Sequence, residues 1–287
     1  MDHLFDPSLV AERRRRAARN FDPKAGFLLD IAAEEMAFRL MAVERRFERA
    51  AELFGGTGAV ARAAMATGKI GEITRVDSAG AVDVFADDLE DMPLEADSLN
   101  LVLAPLGLHM VNDLPGSLVR IRRALKPDGL FLAAIPAAGT LAELNDVLLE
   151  TEARMHGGAS PRVAPFGDVR SIGALLQRAG FALPVADVES YTVRYPSLFG
   201  LMKDLRAFGM TNALANRSRR PVPRGFFLEA ARLYAERHAD PDGRIRATFA
   251  IVYLSGWAPH ESQPRPLKPG SATVRLADAL KPAKRPE

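Results

Sequence analysis

Cysteine is absent from the 287 residues. That excludes disulfides, thiolate metal sites, Fe–S ligation and a cysteine nucleophile, and it fits a reducing compartment. No apolar run approaches the roughly 18 residues of a transmembrane helix. The start, MDHLFDPSLV, carries acids early and no signal-type apolar stretch, so it reads as a mature cytosolic beginning. Net charge is also scarce. Thirty-eight Lys and Arg against 36 Asp and Glu leave a formal +2, and despite a pI of about 9.0 that is too weak a bias to argue for nucleic acid. Only four tyrosines occur, none with a lysine four residues later, so the Tyr-x-x-x-Lys dyad of hydride transfer is missing. No internal repeat and no convincing metal cluster is visible. What is present is an ordinary globular composition, 48% hydrophobic and 26% charged. The length suits one large α/β domain with an insertion, or two small domains.

The apolar periodicity alternates between strand and helix. A basic helix opens at 7–19, and its Arg13 to Arg16 read as a solvated face or as an arm for an acidic partner or phosphate. A second helix covers 26–43. Strands are expected at 50–54, 72–77, 82–88, 99–105 and 130–135, with helices at about 57–66 and 113–125. Only Ser78 to Ala81 separate the second and third strands, too few for a crossover helix. Helices are expected at 141–156 and 168–179, then a strand at 186–195. A helical stretch over 197–238 contains the arginine-rich RSRRPVPR, and a long last strand spans 244–257. The two late strands suggest an antiparallel addition at the sheet edge. Such alternation implies a doubly wound, mostly parallel sheet. The chain therefore divides into an N-terminal helical segment (1–45), a Rossmann-like core (46–196), a helical insertion (197–243), the last strand (244–257) and an extended, proline-rich tail (258–287).

AAELFGGTGAVARAA, residues 50–64, is strand, glycine turn, helix. Gly56-Thr57-Gly58-Ala59-Val60-Ala61 satisfies the dinucleotide pattern G-x-G-x-x-G/A, and Asp77 lies 19 residues beyond Gly58. S-adenosylmethionine (SAM) sites use the same turn differently. An acid ending the first strand, here Glu52, reaches the amino group, and the backbone of Gly55, Gly56 and Gly58 packs on the amino-acid portion. An acid after the second strand, here Asp77, takes the ribose hydroxyls. An acid after the third, here Asp88, takes the adenine amine. Ser78, Asp87, Leu89 and Pro105 stand beside these positions and are grouped with the site. Acid-then-Pro in DLEDMPL supports SAM over NAD. Structural alternatives exist: Glu52 as a cap on the following helix, and Asp87 and Asp88 as plain turn residues. His109 is the only histidine at the carboxyl edge of the sheet, where ligands bind. It is a candidate general base or an orienting group for the next helix, which Asn112 or Asp113 caps.

Taken together, LFDPSLVAERRRRAA, LHMVNDLPGSL, LKPDGLF, GTLAEL, SPRVAPF, YPSLFGLMKDL and the tail block HESQPRPLKPGSATV (260–274) extend along nearly the whole chain. With them the sequence resembles the mitochondrial complex I assembly factor 5 family and its alphaproteobacterial relatives. The resemblance implies a class I SAM-dependent methyltransferase fold with N-terminal helices and a helical insertion before the last strand. It further implies SAM as cofactor and a protein substrate, the Fe–S subunit of NADH:quinone oxidoreductase, modified early in complex I assembly. The family's mitochondrial member is described as an arginine hydroxylase. In bacteria this implies a cytoplasmic protein, peripheral at the inner membrane face. Two alternatives stand beside it: a small-molecule or carrier-protein O-methyltransferase of malonyl thioester type, and a non-catalytic assembly chaperone that has lost the cofactor. Two residues depart from the pattern. Phe54 occupies the first glycine of D-x-G-x-G-x-G, and Met110 stands where relatives often carry tryptophan. Phenylalanine at positive φ costs roughly 1–2 kcal/mol, so Phe54 is expected at an ordinary φ with its ring crowding or lining the methionine pocket. The tail block is expected to fold back near the cofactor edge or to dock the protein substrate.

Overall fold

A computed structural model describes residues 3–158 and 160–264. Seven strands form one sheet in the order β3-β2-β1-β4-β5-β7-β6. They are β1 (Phe47–Leu53), β2 (Ile70–Asp77), β3 (Val84–Phe85), β4 (Leu99–Pro105), β5 (Leu125–Pro136), β6 (Ala182–Tyr195) and β7 (Ile245–Trp257). β1, β2, β3, β4 and β5 pair in parallel. β7 runs antiparallel to both β5 and β6. The antiparallel strand therefore lies one in from the edge, and β6, not β7, is the edge strand. β4 and the second half of β5 are buried along their length, as a sheet covered on both faces requires.

Eight helices cover the two faces: α1 (Pro7–Arg19), α2 (Phe27–Met41), α3 (Ala59–Ala66), α4 (Leu114–Ala124), α5 (Ala142–His156), α6 (Val169–Arg178), α7 (Leu198–Ala207) and α8 (Arg224–His238). One core contains buried residues of α2, α3, α5, α7 and α8. The other contains residues of α1, α4 and α6. Start signals in the sequence act as caps. Asp6 accepts from Leu9 N ahead of Pro7, Asp113 from Gly116 N ahead of α4, and Asp168 from Ser171 N ahead of α6. Asn112 does not cap. Its side chain bonds the backbone N–H and carbonyl of Phe5, pinning the N-terminal segment over the sheet's carboxyl edge.

No helix separates β2 from β3, as the short link predicts. The loop is strapped instead. Asp83 accepts from the Arg75 N–H, and the Arg75 guanidinium donates to Ala81 O. β3 is accordingly only two residues long, shorter than the expected 82–88. At the far end, Ala258 pairs with Asp128 and Gly129 at the beginning of β5, and Gln263 donates to Asp128. The first residues of the tail thus sit at the edge opposite the glycine turn. The remainder of HESQPRPLKPGSATV, from residue 265 on, lies outside the described residues.

Candidate functional site

The carboxyl ends of β1, β2 and β4 meet under α1 and α2, and between them lies a cavity of about 380 Å³. Its floor is the turn from Phe54 to Thr57, one wall is Ala79 to Ala81, and Pro105 and Leu106 close another side. Ala17, Ala18 and Phe21 of the N-terminal segment and Leu28 and Leu29 of α2 form the roof. This size falls within the range of small-ligand clefts.

The turn is conformationally demanding. Gly56 and Gly58 have φ of 60° and 71°, as glycine allows, and Phe54 itself lies at 58°. The expectation of an ordinary φ at Phe54 fails. Two features hold it there. Its N–H bonds Val76 O, and its side chain is buried in the core beside Leu53, Leu108 and Met110. Gly107 makes room: a Cβ there would lie 2.5 Å from the Phe54 Cβ. Burial of the ring thus offsets the left-handed strain.

Of the three acids predicted at strand ends, Glu52 and Asp77 are buried and already paired. Asp77 receives Nη2 of Arg14 at 2.8 Å on both carboxylate oxygens, together with the N–H groups of Gly56 and Ser78. Arg14 Nη2 also donates to Phe54 O at 3.0 Å. Glu52 accepts from Arg75 Nε at 2.9 Å and from Ala61 N at 2.8 Å. It therefore does serve the first turn of α3, which was the structural alternative. Burial raises its pKa, and Arg75 and the Ala61 N–H pull it back down. Arg75 also donates to Gly56 O, and its guanidinium packs so closely on Gly58 that a Cβ there would meet it at 2.7 Å.

The remaining predicted residues divide. Phe54, Gly55, Gly56 and Pro105 line the cavity. Ser78 lies wholly buried behind the Asp77 carboxylate, and its hydroxyl has no partner among the described residues. Asp87, Asp88 and Leu89 do not line it. Asp87 is exposed, Asp88 accepts from Glu90 N in a turn, and Leu89 belongs to the core. His109 sits in a 3-10 turn (Leu108–Met110) and faces a second, adjoining cavity, 6.2 Å from the ring of Phe166. Burial, then the charge of Arg14, lower its pKa to about 3.

Arg14 and Arg75 were not singled out from the sequence, yet both signals are there. Arg14 is three and four residues beyond the buried Ala11 and Val10, which places it on the inner stripe of α1. Arg75 shares a strand face with Asp77. The basic run is thus not wholly solvated. Its second arginine takes an acid of its own chain.

Residues 52–133 match the family described as Methyltransferase domain. Among solved structures, the YcgJ protein from Bacillus subtilis has the same fold, with a TM-score of 0.53, 14% identity, and coverage of 78% of this chain and 98% of that one. The class defined by sheet order, glycine turn and profile is the methyltransferase-fold protein. The curated relatives go further. The mitochondrial arginine-hydroxylase NDUFAF5 of Mus musculus is 36% identical over 292 aligned residues, covering 97% of this chain and 84% of the relative. The protein of the same name in Dictyostelium discoideum is 43% identical over 68% of this chain and 45% of its own length. A malonyl-[acyl-carrier protein] O-methyltransferase of Laribacter hongkongensis reaches 30% over 94% of this chain and 96% of the relative. This chain belongs to the NDUFAF5 arginine-hydroxylase family.

Proposed function

We propose that this chain is a SAM-binding enzyme of the methyltransferase fold that modifies a protein subunit, the Fe–S subunit, during assembly of NADH:quinone oxidoreductase. The partner rests on the family. The cofactor rests on one observation: the cavity lies over the glycine turn and two consecutive strand ends, and the arginines in its wall, Arg75 and Arg14, cover the strand-end acids Glu52 and Asp77, which do not themselves line it. The volume and the glycine floor fit a nucleoside-sized ligand. The acids fit it on one condition, that their arginines give way. Asp77 then holds the ribose hydroxyls in place of Arg14, and Glu52 holds the amino group in place of Arg75. Pro105, Leu106 and residues of α1 and α2 would form the walls around the bound cofactor. The cofactor supplies an electrophilic methyl group, and the protein's task is alignment. Asp87 and Asp88 are set apart from the cavity, so Ala79 to Ala81 and the neighbouring backbone would hold the adenine.

A second reading has its own support. Both acids are neutralised internally, which suits a non-catalytic assembly factor that kept the fold. One experiment separates the two. A strain lacking this chain is complemented with wild type or with Asp77→Asn, and intact mass of the Fe–S subunit and assembled complex I are measured. The enzyme reading expects wild type to restore both the mass change and assembly, and Asp77→Asn neither. Full assembly with Asp77→Asn, or no mass change with wild type, rejects it.

A further inference from the structure

Beside the cofactor cavity is a second one of about 310 Å³, and the two share Leu28, Leu106, Met110 and Met210 as walls. Its lining is mostly apolar, with Leu141, Leu144 and Leu148 on one side and Leu205 on another. The polar groups are the informative part. Thr140 Oγ1 is bonded to the Ala250 backbone, Asn212 to Pro161 O and Leu214 N, and Arg162 to Glu152. Two groups are not satisfied: Arg13 Nη1 and His109 Nδ1 are buried and have no partner among the described residues. Arg13 as a whole is half-buried, and the buried end of its guanidinium lines the cavity; desolvating a cation costs free energy that a hydrogen-bonded anion offsets.

Among the described residues Arg13 has no such anion. The acids that act on it are Glu12 and Asp6. Glu12 is engaged by Arg16, and Asp6 by Arg217 and the Leu9 N–H. Burial, then the neighbouring Arg217 and Arg16, depress the Arg13 pKa. Among the described residues no aspartate or glutamate lines the cavity, whereas Arg13, Arg162 and Arg206 do. A guanidinium entering here would meet cations and no acid.

We propose that this second cavity binds a carboxylate carried on a short apolar chain, with Arg13 as its counter-charge and His109 Nδ1 as a further hydrogen-bonding group. The apolar walls take the chain and the shared wall brings it beside the cofactor cavity. This goes beyond the function proposed above, and the binding claim does not depend on the cofactor. A charged pair in a half-buried, mostly apolar cleft is worth more than one at a surface. It also selects, because the charge of this chamber opposes a cationic side chain.

Calorimetry on the full chain, without cofactor, tests the claim with four probes: hexanoate, hexanol, butylguanidinium and an acetylated glutamate amide. A carboxylate probe should bind, and hexanol and butylguanidinium should bind at least tenfold more weakly. Hexanoate or the glutamate amide as the tighter ligand tells an acyl chain from an acidic protein side chain as the source. Arg13→Met should weaken the carboxylate at least tenfold, with Arg13→Lys in between. The free Arg13→Met protein should melt no lower than wild type, because a half-buried charge with an unsatisfied nitrogen has been removed; this separates lost binding from lost folding. Equal binding of hexanol, tighter binding of butylguanidinium, no binding of either carboxylate, or an unchanged affinity in Arg13→Met would overturn the proposal.

Discussion

Arg14→Met is the substitution with the most to say about the cofactor cavity. Methionine keeps the apolar stem and removes the guanidinium that bridges Asp77 and the Phe54 carbonyl. The side chains of Arg14 and Asp77 are 9% and 2% exposed, so solvent screens the pair little. Breaking such a pair by removing one partner costs about 3–5 kcal/mol. Asp77 keeps the N–H groups of Gly56 and Ser78, which places the loss at the lower end, about 3 kcal/mol. At about 2–4 °C per kcal/mol for a chain somewhat smaller than this one, the free protein should melt roughly 6–12 °C lower. SAM affinity should move the other way. If Arg14 holds the carboxylate that ribose needs, the variant should bind at least tenfold tighter, about 1.4 kcal/mol. Thermal melting followed by SAM titration reads both. Equal or weaker binding by Arg14→Met would refute the competition and make Arg14 part of the ligand's own environment.

Two further outcomes follow from the same geometry. Phe54→Gly removes a buried ring at roughly 3–5 kcal/mol, and relief of left-handed strain returns about 1–2 kcal/mol. With glycine's extra unfolded-chain entropy, the net loss should be about 2–4 kcal/mol, measurable by urea unfolding; an unchanged midpoint would show that the ring contributes nothing to the core. His109, with its pKa lowered to about 3 against an ordinary 6.5, stays neutral when folded while the unfolded chain takes up a proton. Stability is therefore lost as pH falls below about 6.5, and His109→Phe should flatten that slope between roughly pH 6.5 and 5 in pH-dependent melting; parallel curves would contradict it.

The sheet was legible because its signals are local. LNLVLAP, apolar but for Asn100, forms β4 with the expected bounds, and Asp6, Asp113 and Asp168 announce their helices by capping. The missing helix between β2 and β3 follows from counting residues. The position of β7 between β5 and β6 was not legible, because pairing order is decided by long-range contact. Phe54 shows a different limit. Propensity disfavours a left-handed phenylalanine, and only the partner glycine at position 107 and the surrounding core reverse that preference. At the site, the positions of Glu52 and Asp77 near strand ends could be read from spacing, but the place of Asp88 in a turn away from the cavity and the pairing of the two acids with Arg75 and Arg14 are tertiary. The second cavity takes its walls from segments as far apart as Phe5 and Ile251, so no short stretch of sequence could announce it.

The central claim is that the cavity over the glycine turn takes SAM. Isothermal titration of the full chain with SAM, S-adenosylhomocysteine and NAD tests it most directly. The account predicts one-to-one binding of both sulfur nucleosides, tighter in Arg14→Met and weaker in Asp77→Asn, with no binding of NAD. Binding of NAD alone, or no binding of either sulfur nucleoside by wild type and Arg14→Met alike, would contradict it.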